Sequence, residues 1–251
     1  MNLRRLTLTA LLSLAGFYLL LILSLLYFLQ GSEALGTLLS ARVLYSLRLS
    51  LLCASGASLF SLLLGLPAAY ALSRHRFPGR RLVDTLLELP LVVSPAALGA
   101  MILIFFNTPL AEKWKALFVL ALPGIVLAQF ATVAGLCVRL LKAALDEIPT
   151  RYEEVARSLG ATPLRAFLTV TLPLCRRGLL SALVLTWAKA LGEFGATFTV
   201  AGSMPFRTET LPIAIYLHLS SADLQAAALL TLVLVITGLG ILYLVRVLGR
   251  A

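Results

Sequence analysis

The sequence predicts an all-α, polytopic membrane protein with six transmembrane helices, and three observations carry that prediction. Hydrophobic residues make up 60% of the chain and charged residues only 13%, so most of the 251 residues need an apolar solvent. Six apolar stretches are each long enough to cross a hydrocarbon core of about 30 Å as a helix. The basic residues cluster between those stretches, as loops at a membrane surface require. Helices are the expected form because lipid satisfies no backbone N–H or C=O group. A transmembrane barrel would need polar–apolar alternation, and no stretch shows it.

The first stretch runs from about Thr9 to Leu29 behind Arg4 and Arg5. It is longer than a signal-peptide core and has no convincing small-residue cleavage site, so a retained span is expected. The second lies between Leu44 and Leu72. Arg48 interrupts it near its outer end, where a snorkelling and a pore-lining reading are both open. The third, about Pro90 to Phe106, has Pro90, Pro95 and Gly99 to bend or break its start. The fourth runs from about Leu117 to Leu140, and the fifth from about Leu179 to Val200, loosened at its end by Gly192, Gly195 and Gly202. Thr210 to Ser220 is apolar but too short to cross; it reads as an interfacial or re-entrant piece held partly by Tyr216. The sixth stretch is about Leu224 to Leu244, and no internal repeat or low-complexity linker divides the chain.

Charge sets the orientation. Arg4, Arg5, Arg74, Arg76, Arg80, Arg81, Arg139, Lys142, Arg151, Arg157, Arg165, Arg176, Arg177, Arg246 and Arg250 fall on one side, 15 in all, against 4 on the other, Arg42, Lys113, Lys115 and Arg207. The richer side is cytoplasmic, with both termini. The net charge of +10 is thus topological; there is no basic face with interleaved aromatics, and no nucleic-acid partner is expected. Cys53, Cys137 and Cys175 have no paired spacing and suit small buried apolar positions. His75 and His218 are isolated, so neither a metal site nor a bound cofactor is expected.

The longest polar interval is Thr150 to Pro173. Thr150 and Glu153 have capping-box spacing at the start of a short helix. Gly160 stands where a left-handed residue ends it. Thr162 and Pro163 can start a second helix, expected to run to about Val170 and end before Pro173. Glu154, Val155 and Ala156, then Gly160, then Val170, Leu172 and Pro173 resemble the signature loop of permease subunits of bacterial ABC importers, Glu-Ala-Ala, three residues, Gly, nine residues, Ile-x-Leu-Pro. Val155 and Val170 depart from it conservatively. The resemblance implies that the loop docks on a separate ATPase, with Glu154 as the charged contact, Ala156 and Leu159 packing into a groove, Gly160 setting the bend, and Glu153 and Pro173 completing the element.

The chain has no G-x-x-x-x-G-K-[ST], G-x-S-x-G or H-E-x-x-H pattern, so no enzyme constellation is present. Lys189 and Glu193 lie four residues apart in the fifth stretch, where ionisable groups are costly. They line a path, form a structural pair, or snorkel, and the residues alone leave all three open. The segment Leu191 to Thr197, with Ala201 and Gly202, resembles the fifth-span motif of oxyanion permeases, the molybdate or tungstate group and its sulfate or thiosulfate relatives. Lys189 and Glu193, as ionisable groups within a span, and Ser94, Gly195 and Thr197, on that resemblance, are the candidate translocation path.

Together the resemblances imply a type I ABC importer permease fold, with a first helix and outer loop over residues 1–40 and a permease domain over 41–248 that carries a coupling loop at 142–177. They imply a multi-pass protein of a prokaryotic cytoplasmic membrane, importing molybdate or tungstate, with sulfate or thiosulfate as the alternative cargo. The implied partners are a second copy, two cytoplasmic ABC ATPases that hold ATP and Mg, an extracytoplasmic oxyanion-binding protein and membrane lipid. From other classes, an integral membrane lipid-modifying enzyme would draw on Asp84 and Glu88, and a scaffold or sensor subunit would bind an ATPase without flux.

Overall fold

Apolar runs fold into long helices, the longest of which keeps Pro67 inside it, and proline, glycine and local capping side chains set many of their ends. A computed structural model describes residues 3–29, 36 and 40–248. The expected outer loop after the first span lies largely outside the described residues, as do Arg250 and the side chain of Arg246. In chain order the helices are α1 (Leu3–Tyr27), α2 (Ala41–Arg74), α3 (Arg80–Leu87), α4 (Leu89–Val92), α5 (Pro95–Phe106), α6 (Glu112–Phe118), α7 (Leu122–Asp146), α8 (Arg151–Ser158), α9 (Pro163–Leu174), α10 (Arg176–Leu191), α11 (Gly195–Ala201), α12 (Leu211–Ser220) and α13 (Leu224–Leu248). No strand occurs among the described residues.

Among the described residues four helices, α1, α2, α7 and α13, are long and apolar enough to cross a membrane singly. The count reaches six only if two bent pairs each serve as one span: α3–α4 with α5, at 114°, and α9 with α10, at 74°. The first break follows from Pro95, which has no N–H to donate, and from Ser94, whose Oγ accepts the Ala97 N–H at 3.3 Å and starts α5 afresh. The fifth stretch does not run unbroken to Val200. It stops at Leu191 and resumes at Gly195, with the Glu193 carboxylate accepting the Ala196 N–H at 3.0 Å.

The centre of the bundle is the α2–α7 pair, crossed by α10. The buried stripe of α2 is built of small residues, among them Ser50, Ala54, Ala57, Ser58, Ser61, Gly65 and Ala69. Spaced three and four apart, they let the neighbouring backbones approach closely. At the arginine-rich end, Leu72, Cys137, Leu141, Leu145 and Cys175 form one apolar cluster. All three cysteines are buried, as their apolar settings suggest. At 34 residues α2 is about 50 Å long at 1.5 Å per residue, so it projects beyond a hydrocarbon core and carries Tyr70 and Arg74 out to the polar loop.

Helix α12 is less superficial than an interfacial piece. Leu211, Pro212, Ile213 and Ala214 are buried, and the Leu211 N–H donates to Ser50 Oγ at 2.7 Å. Tyr216 does help to hold it, against the rings of Phe194 and Phe198 at 4.9 and 5.6 Å. By contrast, α1 buries none of its residues and packs mainly along α13.

Candidate functional site

The polar interval folds into two short helices about a bend at Gly160. The Gly160 backbone is left-handed, with φ +93°, and its N–H and that of Ala161 close the end of α8 on the carbonyls of Arg157 and Ala156. Thr162 caps the next helix through the Arg165 N–H, with Pro163 at its first position. Two expectations fail here. Thr150 has helical angles, φ −56° and ψ −26°, and its side chain caps nothing. The second helix does not end before Pro173. It widens into a π-turn over Phe167–Thr171, closed by the Leu172 N–H on Phe167 O, and continues to Leu174. The wider turn accommodates a proline whose ring would clash with a carbonyl four residues back.

The capping box is missing because Glu153 has better partners inside. It is the one buried residue of α8. Its Oε1 accepts from Thr171 Oγ1 at 2.7 Å and from Arg74 Nε at 3.1 Å, and its Oε2 accepts from the Tyr70 hydroxyl at 2.8 Å. Burial pushes this carboxyl up, but the hydrogen bonds from Thr171 and Tyr70 and the Arg74 charge outweigh it and hold the group below the usual carboxylate range. Arg74 Nη2 also donates to Ile148 O at 2.8 Å, and the Tyr70 ring meets Phe167 edge-on at 4.8 Å.

The opposite face of the loop is open. Glu154, Tyr152, Val155 and Leu164 are exposed, and Leu159 is 84% exposed. Ala156 is half-buried, and Pro173 is exposed. Apolar side chains beside charged ones, with none of the described residues over them, make a face suited to receiving a protein partner. Glu153 and Glu154, adjacent in sequence, thus point to different tasks: one holds the helix and the other is presented.

The second group of candidates lies where the two broken spans meet. A Cβ on Gly195 would stand 2.9 Å from Ala96 N, and one on Gly99 would stand 2.8 Å from Thr199 Cβ, so at each contact of α5 with α11 one of the two helices needs a residue without a side chain. Gly195 lies at this crossing, Ser94 immediately precedes the Pro95 that meets it, Glu193 bonds the Ala196 N–H beside it, and Thr197 follows on α11. Ser94 is exposed, Glu193 is 2% exposed, and the Oγ1 of fully buried Thr197 has no partner. Lys189 is exposed one turn earlier on α10 and makes no ion pair with Glu193, because the helix ends between them. Thr199 bonds back to Gly195 O at 2.7 Å.

Tyr70, Arg74 and Thr171 escape sequence reasoning. They lie 83, 79 and 18 residues from Glu153, and no local pattern joins them. The ion pair of Arg42 with Glu209, on the side opposite the loop, is equally nonlocal. Of the two carboxylates offered to a lipid-modifying reading, Glu88 is engaged with Arg139 at 3.5 Å.

Comparison with known proteins fits this architecture. Residues 61–251 match the family described as "Binding-protein-dependent transport system inner membrane component". The molybdenum transport system permease protein ModB of Escherichia coli K12 is 40% identical over 174 residues, 67% of this chain and 76% of that protein. The molybdate/tungstate transport system permease protein WtpB of Thermococcus kodakarensis is 31% identical over 210 residues, 84% of this chain and 80% of that protein. The sulfate transport system permease protein CysT of Escherichia coli K12 is 33% identical over 207 residues, 80% of this chain and 75% of that protein. Among solved structures, a chain of a bacterial alginate ABC transporter in complex with an alginate-bound periplasmic protein aligns with TM-score 0.78 at 18% identity, covering 98% of this chain and 95% of that one. A chain of the MetNI methionine ABC transporter in an inward-facing form aligns with TM-score 0.68 at 21% identity, covering 84% and 98%. These two share the fold. The chain belongs to the family of binding-protein-dependent transport system inner membrane components, as a permease subunit that transports and is not an enzyme.

Proposed function

We propose that this permease moves molybdate or tungstate into the cytoplasm by alternating access. It works as a homodimer with two cytoplasmic ABC ATPases, which hold ATP and Mg, and receives its cargo from an extracytoplasmic oxyanion-binding protein. Loop 142–177 within the permease domain 41–248 is the coupling element. The observation that carries this reading is the two-faced α8: Glu153 secures it from within while Glu154, Leu159 and their neighbours stay exposed. The 15-to-4 asymmetry of basic residues supports a cytoplasmic position for that loop and for both termini.

The crossing of α5 and α11, with Ser94, Glu193, Gly195 and Thr197, and Lys189 one turn away, is the part of each protomer that borders the path. Broken spans suit such a role, since interrupted helices in a membrane occur where protein or a water-filled cavity covers the backbone. The names of the ModB and WtpB relatives support molybdate or tungstate, and that of CysT supports sulfate as the second reading. The test is ATP hydrolysis and uptake by the transporter reconstituted with its ATPase and binding protein, at equal molybdate, tungstate and sulfate. Stimulation by molybdate and tungstate, with sulfate inactive, is expected. Stimulation by sulfate alone would establish the second reading.

A further inference from the structure

We infer that Glu153 is the positioning residue that transmits movement of α8 to the membrane spans, through its joint with Tyr70, Arg74 and Thr171. The inference rests on the reading of α8 as the ATPase-docking helix. An isolated helix of 8 residues has little stability of its own, so its position depends on what holds it. No other side chain of α8 is buried. The carboxylate therefore supplies the grip, and it does so with directional, charge-assisted bonds that cannot slide as apolar contacts can.

The partners of that carboxylate belong to separate spans. Tyr70 and Arg74 are in the last two turns of α2, and Thr171 is in the π-turn that leads into α10. Arg74 extends the joint to Ile148 O, just past the end of α7. The π-turn serves this arrangement, because it is the segment in which Thr171 is fully buried and reaches Oε1. Helix α2 then runs 34 residues to the opposite side, where Arg42 grips Glu209 and Ser50 accepts the Leu211 N–H. A shift of α8 is thus delivered to one continuous helix held by buried acids near both of its ends. Glu154, by contrast, faces the docking partner.

The experiment measures ions imported per ATP hydrolysed by the reconstituted transporter, together with retention of the ATPase on the tagged permease. The variants are Glu153→Ala, Tyr70→Phe, Thr171→Val and the double variant Tyr70→Phe/Glu153→Ala. Retention of the ATPase is expected in all of them, because the docking face is untouched. Ions per ATP should fall about tenfold or more in Glu153→Ala, the scale set by loss of a charged buried hydrogen-bond group. Tyr70→Phe and Thr171→Val should each lower the ratio by less, and the double variant should be no worse than Glu153→Ala, as expected for one shared joint. An unchanged ratio with the ATPase retained overturns the inference. If Glu153→Ala fails to insert, the single-hydroxyl variants decide the question by the same ratio. A native chain that retains no ATPase would instead overturn the docking reading beneath it, and the native sample alone reveals that.

Discussion

Arg42 and Glu209, 167 positions apart, form a two-pronged ion pair, Nε to Oε1 at 2.9 Å and Nη2 to Oε2 at 2.7 Å. The Glu209 side chain is 1% exposed and that of Arg42 is 44% exposed. The pair fastens one end of α2 to the segment leading into α12. Because the acid is the buried member, loss of the arginine is the more damaging change. Arg42→Ala should lower stability in detergent by about 1–2 kcal/mol, allowing for the solvent that reaches Arg42, and Arg42→Ala/Glu209→Gln should recover part of it. Chemical unfolding of the four corners of this cycle measures both.

Acid should release α8. The folded-state pKa of Glu153 lies below its ordinary value of 4.5; burial acts against this, and the bonds from Thr171 and Tyr70 and the Arg74 charge outweigh it. The stability it contributes is therefore fully present above 4.5 and is lost as pH falls from there through the depressed folded value. Hydrogen exchange of the Arg151–Ser158 amides, followed from about pH 6 down to pH 3 and corrected for intrinsic rates, should show protection falling with acid in the native chain. Glu153→Gln should start less protected and lose less over the same range.

The bend at Gly160 depends on conformation and not on space. A Cβ there meets nothing within 4 Å, yet φ is +93°. Gly160→Ala should cost about 1 kcal/mol locally, and Gly160→Val more, while Gly160→Asn is the best tolerated. Limited proteolysis of the loop at residues 151–174 should rank the variants in that order.

Close approach of the two broken spans makes the opposite prediction at Gly99 and Gly195, where space is the constraint. Gly99→Val should force α5 and α11 apart at a cost of about 1–3 kcal/mol. Uptake should fall while the ATPase stays bound, because the loop is remote in sequence and differently held. Gly195→Ala should act in the same direction with smaller effect.

How much of this was legible in the chain depended on the range of the interaction. Local rules placed Gly160, Thr162 and Pro163 correctly, because backbone handedness and capping involve neighbours only. The break at Pro95 was legible for the same reason. Local rules misled at Thr150 and Glu153, where the capping-box spacing is present but partners from α2 and α9 outcompete the box. They also misled at Lys189 and Glu193, whose four-residue spacing implies one face only if the helix continues, and it stops at Leu191. The π-turn was invisible because widening a turn before Pro173 leaves no distinct composition. Long-range acid–base pairs such as Arg42 with Glu209 have no sequence signal short of the fold itself.

The most direct measurement is affinity purification of the tagged chain in mild detergent, native and with Glu154→Lys plus Gly160→Pro, with co-purifying proteins identified by mass and stoichiometry. A P-loop ATPase retained one-to-one by the native chain, and lost by a double variant that still inserts in the membrane, is the predicted result. Equal retention by both, or no ATPase with the native chain at any nucleotide concentration, would contradict the role given to α8.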